Sequence, residues 1–307
     1  MAKARIGIAL GSGSARGWSH IGILEALADA GIHPDIVCGC SIGAMVGAAC
    51  ISGKLDPLKD WVLSLNWSEI ARLLGIGFSD GGLVDGDVFS HIMAKLEINA
   101  PIESYDTPFA AIATDLATGR EIWLREGPIH KAARASMAMP GVFTPAKHGK
   151  DWLLDGGLVN PVPVSVCRAL GADIIIAVNL NSDLLKKRRG SHGKHHEQLS
   201  KDMEPSKLEA LLQKVPAGFR HSISQMVPEL VSAPSPAPGY FDVLANAINI
   251  MQDHITRSRL AGEPPDVMLH PRLSHMGLFD YQNAAEAIRE GRKCVARALP
   301  DLETLVR

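Results

Sequence analysis

The chain has no unbroken apolar run of the about 18 residues that a membrane-spanning helix requires. Cysteine is scarce and odd in number: Cys38, Cys40, Cys50, Cys167 and Cys294. Five thiols in 307 residues argue against a disulfide framework and for a reducing compartment, the cytoplasm. Cys38 and Cys40 lack the C-x-x-C spacing of a metal pair, so they read as small apolar residues of a buried strand. No sign of charge dominates: 31 Lys and Arg stand against 33 Asp and Glu, for a net −2. A nucleic-acid partner is therefore not expected. Aromatic residues are few, at 5%, and there is no internal repeat. The opening "MAKARIGIALGSG" breaks into glycine after a short apolar run, unlike a signal peptide.

Glycine, in contrast, is plentiful, at 29 residues, as suits a compact α/β protein with tight turns. "RIGIAL" (5–10) reads as a buried strand, and 19–30 carries apolar residues at helical spacing up to Gly31. "DIVCG" (35–39) is a second strand, and "SIGAMVGAACISG" (41–53) a small-residue helix. Strand and helix alternating over short connections predict a parallel sheet covered by helices. Residues 56–98 read as largely helical around a glycine-rich break. Further strands are expected over 108–116, 121–124, 152–157, 173–180 and 266–271. Helices are expected over 129–139, 241–262 and 282–298. The division predicted is an α/β core over 1–182, a polar, partly mobile helical insert or lid over 183–240, and a segment over 241–307 that completes the core.

A serine stands between two glycines straight after the second strand: Gly39, Cys40, Ser41, Ile42, Gly43. Such a turn lifts a hydroxyl clear of the backbone as a nucleophile. It also suits an ordinary helix N-cap, and the motif alone does not choose. A nucleophilic serine needs a base and donors for an oxyanion. Both are sought at the carboxyl ends of strands, where open α/β sheets bind their ligands. Gly11–Gly17, "GSGSARG", follows the first strand there, and its N–H groups favour negative charge, as phosphate or oxyanion. A dinucleotide fingerprint is disfavoured, because the third glycine, Gly17, comes one residue late and the candidate ribose acid, Asp35, begins a strand.

For the base, His20 lies within a helix and reads as a satisfied, partly buried histidine. His192, His195 and His196 fall in the polar insert and read as solvated. Two Asp-Gly-Gly turns are the alternative, at Asp80 and Asp155. Position at a strand end favours Asp155, although turn chemistry explains either.

"LGSGSARGWSHIGIL", "GCSIG" and "DGGLVNPVP" together resemble the patatin-like phospholipases, in particular the bacterial RssA-type branch related to neuropathy target esterase. "ATDLATG" (113–119), "ASMAMPGVFTP" (135–145), "PDVMLHPRL" and "FDYQNAAEAIREG" extend the resemblance over most of 5–181 and roughly 241–292. It implies a patatin-like three-layer α/β sandwich with a mostly parallel central sheet and a helical excursion. It also implies a serine acyl hydrolase (phospholipase, lysophospholipase or carboxylesterase) that works through a Ser-Asp dyad without metal or organic cofactor. Ser41 would be the nucleophile, Asp155 the base, and Gly39 and Gly43 the flanks of the elbow. Ser12, Gly13, Ser14 and Arg16 would form the oxyanion hole, with the N–H groups of Gly13 and Ser14 as donors. The family's loop is often G-G-G-x-R-G, and serine here limits positive φ.

The expected partner is a lipid or acyl ester. Lys186, Lys187, Arg188 and Arg189 suit peripheral contact with the inner membrane face, though a solvated loop explains them too. Phe219, Ile223, Met226, Val227 and Leu230 form a stripe that suits a lid, core packing or a homodimer. An acyltransferase using the same dyad, or a non-catalytic lipid-binding or regulatory protein with the same fold, are the alternatives.

Overall fold

The computed structural model describes residues 3–66, 69–70, 86–182 and 240–306. Met1–Asp183 and Asn249–Arg307 form one compact unit, and the second, Leu184–Ile248, falls mostly outside the described residues. Asp80, the histidines at 192, 195 and 196, the basic run at 186–189 and the stripe at 219–230 also lie outside them, as do nearly all residues of the expected insert.

Eight strands build one sheet: β1 Ile6–Leu10, β2 Ile36–Cys40, β3 Phe109–Asp115, β4 Glu121–Leu124, β5 Ala146–His148, β6 Asp151–Asp155, β7 Ile174–Val178 and β8 Val267–Leu269. Their order is β5-β6-β3-β2-β1-β7-β8, with β4 also on β3. β1, β2, β3, β7 and β8 run parallel, whereas β4 and β6 run antiparallel to β3. The helices are α1 Ser19–Asp29, α2 Ile42–Ile51, α3 Leu55–Ser64, α4 Asp87–Lys95, α5 Ile129–Ser136, α6 Val164–Ala169, α7 Tyr240–Gly262 and α8 Ala284–Val306. The α/β class and the mostly parallel sheet are as expected. The short strand β5 went unread because three residues, "AKH", carry no periodicity.

Residues alternate across the sheet. Ala9, Cys38, Cys40, Ala110, Ile112, Ile175 and Ala177 face one side, where α6 supplies Val166 and Cys167 and α7 supplies Leu260. The central strands β1 and β2 are apolar and buried at every position, as parallel strands covered on both faces must be. α2 packs on β2 and β3, and α8 packs on α1 and β8.

One device recurs where the parallel strands begin. An aspartate precedes each of β2, β7 and β8, and locks the register to the neighbouring strand through a reciprocal pair. Asp35 N–H donates to Ile6 O at 2.7 Å while its carboxylate accepts Ile6 N–H at 2.8 Å. Asp173 does the same with Arg5, at 2.9 and 2.8 Å, and Asp266 with Ile175, at 3.0 and 2.8 Å. Asp35 is thus spent at the amino end of the sheet, away from the glycine loop, which removes the acid that a dinucleotide site would need.

The register of β3 sets the position of the site. Ala111 and Ile112 pair with both β2 and β4, and Ala113 pairs with both β4 and β6. β2 and β6 therefore share one edge of β3 and run toward each other. β2 ends with Cys40 opposite Ile112, and β6 ends with Asp155 opposite Ala113, the next residue.

Removing the register lock is expected to be costly because Ile6 N–H is buried. Asp35→Ala should lower stability by about 2 kcal/mol, the scale of a hydrogen bond to a charged group. Urea unfolding should show a lower midpoint at unchanged slope, and Asp35→Asn, which keeps an acceptor, should lose less.

Candidate active site

The head-to-head strand ends bring Ser41 and Asp155 together from 114 positions apart in sequence. Ser41 Oγ donates to Asp155 Oδ2 at 2.6 Å. Ser41 occupies the N-cap position of α2, and its carbonyl accepts Ala44 N–H at 2.9 Å. Its side chain, however, makes no capping bond. The hydroxyl donates to the carboxylate instead of capping the helix end.

That turn is strained and crowded. Ser41 has φ 56°, a left-handed value that a serine adopts at a cost of roughly 1–3 kcal/mol. A Cβ on Gly39 would lie 2.5 Å from Ala44 Cα, and one on Gly43 would lie 2.1 Å from Leu10 O. Only glycine permits α2 to start this close to β1 and β2. Ser136, at the end of α5, fills the gap left where the β2–β3 ladder stops. Its hydroxyl accepts Ser41 N–H at 2.8 Å and donates to Ile112 O at 2.5 Å.

Asp155 is 1% exposed and Ser41 5%. The carboxylate is held on both oxygens: Oδ2 by Ser41, and Oδ1 by Gly157 N–H at 2.7 Å. Its main chain is fixed as well. Thr114 Oγ1 donates to Asp155 O at 2.8 Å, and Asp155 N–H donates to Ala138 O at 2.9 Å. Burial drives its pKa up from 3.8 to about 6, against the opposing pull of the Ser41 and Gly157 hydrogen bonds.

The glycine loop stands at the carboxyl end of β1, beside the start of α2. Three of its N–H groups are occupied: Gly11 on Val178 O at 3.1 Å, Ser12 on Pro161 O at 2.8 Å, and Ala15 on Leu278 O at 3.2 Å. Gly13 and Ser14 have no main-chain acceptor among the described residues. Arg16, 2% exposed, folds back under the loop, and its Nε donates to Gly13 O at 3.3 Å. In a trans peptide the carbonyl and the following N–H point opposite ways, so Ser14 N–H faces away from Arg16. Ser14 itself takes φ 50°, the conformation that serine was expected to resist. Its hydroxyl is anchored on Tyr281 Oη at 2.7 Å, a local contact that offsets the strain.

His20 is fully buried rather than partly buried. Its Nε2–H donates to Gly11 O at 2.8 Å, and burial lowers its pKa to about 4. It holds the loop in neutral form and takes no part in the Ser41 contact.

Ser136, Thr114, Asn181, Asn249, Gln252 and Tyr281 were not singled out from the sequence. Ser136 and Tyr281 sit inside quoted stretches, "ASMAMPG" and "FDYQN", yet nothing in those stretches marks a role. In α7, Asn249, Gln252, Asp253 and Thr256 are spaced i, i+3, i+4, i+7, a polar stripe that sequence reads as a solvated face and that the structure buries.

Residues 8–168 match the family model described as patatin-like phospholipase. An uncharacterized NTE family protein of Mycobacterium tuberculosis is 30% identical over 97% of this chain and 92% of its own length. Patatin-like phospholipase domain-containing protein 6 of Homo sapiens is 31% identical over 58% of this chain and 13% of its own. Patatin-like phospholipase domain-containing protein ZK370.4 of Caenorhabditis elegans is 35% identical over 58% and 14%. Ser41, Asp155 and the glycine loop lie within the span matched by the family model, whereas Asn181, Asn249, Gln252 and Tyr281 lie beyond it.

The raised Asp155 pKa fixes a stability profile. The folded form holds a proton between about pH 4 and 6 that the unfolded chain has released, so this contribution is full below the unfolded value near 3.8 and lost as pH rises through about 6. Relative to Asp155→Asn, the native protein should therefore lose about 2 kcal/mol between pH 4 and 7 and change little above, read from paired denaturation curves.

Proposed function

The chain belongs to the patatin-like phospholipase family, and from that premise we propose that it is a serine acyl hydrolase of lipid esters, with Ser41 as nucleophile and Asp155 as base. The observation that carries this reading is the 2.6 Å hydrogen bond from the Ser41 hydroxyl to a buried carboxylate. A serine turned from its helix cap, in a strained turn, toward a carboxylate removed from water has a plain use in nucleophilic catalysis.

As Ser41 Oγ attacks the acyl carbon, Asp155 Oδ2 takes its proton. A carboxyl with pKa about 6 is ionised at neutral pH and is a better base than a solvated aspartate. The carbonyl oxygen gains negative charge in the loop, where Gly13 and Ser14 N–H groups receive it. Ser12 and Arg16 shape that loop from behind. Collapse expels the alcohol, which takes the proton from Asp155. Water then gives a proton to Asp155 as it attacks the acyl-enzyme, and collapse releases the acid while Ser41 Oγ takes that proton back from Asp155. An alcohol in place of water turns the same sequence into acyl transfer. The fixed carboxylate and the loop N–H groups that have no main-chain acceptor among the described residues favour turnover over a purely lipid-binding role.

The α/β core over 1–182, completed by 241–307, would carry the chemistry, with 183–240 as the insert. Among the described residues no helix is long and apolar enough to cross a membrane. The five cysteines are free thiols, which suits a reducing, cytoplasmic setting, and a lipid substrate would bring the chain to the inner membrane face. A homodimer is compatible with this reading.

Hydrolysis of a p-nitrophenyl acyl ester should fall about 10³-fold or more in Ser41→Ala and steeply in Asp155→Asn. The acid limb of kcat/KM should fall near pH 6, where Asp155 takes up its proton. Activity that persists in Ser41→Ala would refute the assignment.

A further inference from the structure

Helix α7 brings one more side chain to the site, and the hydrogen bonds around it fix which way it points. Arg16 only donates, and its Nη2 donates to Asn181 Oδ1 at 3.2 Å and to Asn249 Oδ1 at 3.3 Å. With its oxygen held there, Asn181 presents Nδ2 to the next residue in the chain of bonds, and Nδ2 donates to Gln252 Oε1 at 3.0 Å. Ser12 Oγ donates to the same oxygen, also at 3.0 Å. The oxygen of Gln252 is thus committed to the glycine loop, and its amide nitrogen lies on the other side. There Nε2 meets the turn that holds the base. A Cβ placed on Gly157 would lie 2.3 Å from Gln252 Nε2 and 2.9 Å from Asp155 Oδ1.

We infer that Gln252 is a positioning residue that spans the two halves of the site, gripping the loop through Ser12 and resting its amide against the Asp155–Gly157 turn. The inference rests on the reading of Ser41, Asp155 and the loop given above. The loop springs from β1 and the base from β6, strands that do not pair with each other. Catalysis requires donors and base to hold a common geometry to within about 0.5 Å. Gln252 is a buried bridge between them and comes from a helix outside the 8–168 span. The turn on which its amide rests is the one whose Gly157 N–H holds Asp155 Oδ1. A glycine at 157 leaves room for that amide, which any side chain would displace.

Ester hydrolysis by the full chain, with kcat and KM measured separately between about pH 5 and 9, tests this in Gln252→Leu and Gln252→Glu. Gln252→Leu removes the bridge, and kcat should fall about 10- to 100-fold with KM within about twofold. Gln252→Glu keeps an acceptor for Ser12 and Asn181 but sets a negative charge beside Asp155. Its acid limb should move up by about one pH unit, a shift that loss of packing alone does not produce. Should Gln252→Leu fail to fold by circular dichroism, the pH profile of Gln252→Glu decides. Wild-type activity that depends on Ser41, with kcat and acid limb unmoved in the variants, overturns the inference, as does a rise in KM alone. Activity independent of Ser41 overturns the underlying reading and this inference with it.

Discussion

Two strands that run at each other along one edge of β3 make the candidate site of this protein. β2 delivers Ser41 and β6 delivers Asp155 at adjacent rungs. Neither residue has to reach for the other, because the sheet has already placed them. The left-handed serine, the close approach of α2 through Gly39 and Gly43, and the Ser136 hydroxyl in the interrupted ladder all follow from stopping β2 at that rung. The same register buries Asp155, and burial is what lifts its pKa into a useful range.

The carboxyl ends of the strands collect the rest. The loop after β1 supplies main-chain donors, and the residues after β7 supply Asn181. A buried arginine then organises a polar chain through Asn181 and Gln252 to Ser12. Burying a guanidinium is costly unless its donors are met, and here a main-chain carbonyl and two asparagine oxygens meet them. The charge is therefore structural: Arg16 holds Gly13 O and so turns the Ser14 N–H outward. His20 performs a related task from the other side by holding Gly11 O.

Much of this was legible in the sequence, for reasons that differ by residue. The strands β1, β2 and β7 announce themselves as short apolar runs, and Ser41 by the small residues that a sharp turn demands. Asp155 was visible as an acid at a strand end, but so was Asp80 as an acid in a glycine turn. Position at a strand end favours Asp155 without deciding the matter, and the family resemblance picks it as the base. What sequence did not reveal is the register of β3, since β2 and β6 are far apart in the chain and pairing across such a gap leaves no local pattern. Gln252 was hidden for a related reason. Its helix was expected, yet a polar stripe is normally a solvated face, and only the packed structure turns it inward. The grip of the three aspartates on the strand starts was equally silent, because each looks like an ordinary loop residue.

The central claim is that the hydroxyl at Ser41 is a nucleophile made reactive by Asp155. A fluorophosphonate probe reports this directly, since it forms a covalent adduct only with an activated serine. Mass spectrometry of the labelled protein should place the adduct on Ser41, with labelling at neutral pH slowed at least about 10²-fold in Asp155→Asn. An adduct on another serine, or labelling of Ser41 at the same rate without the carboxylate, would contradict the account.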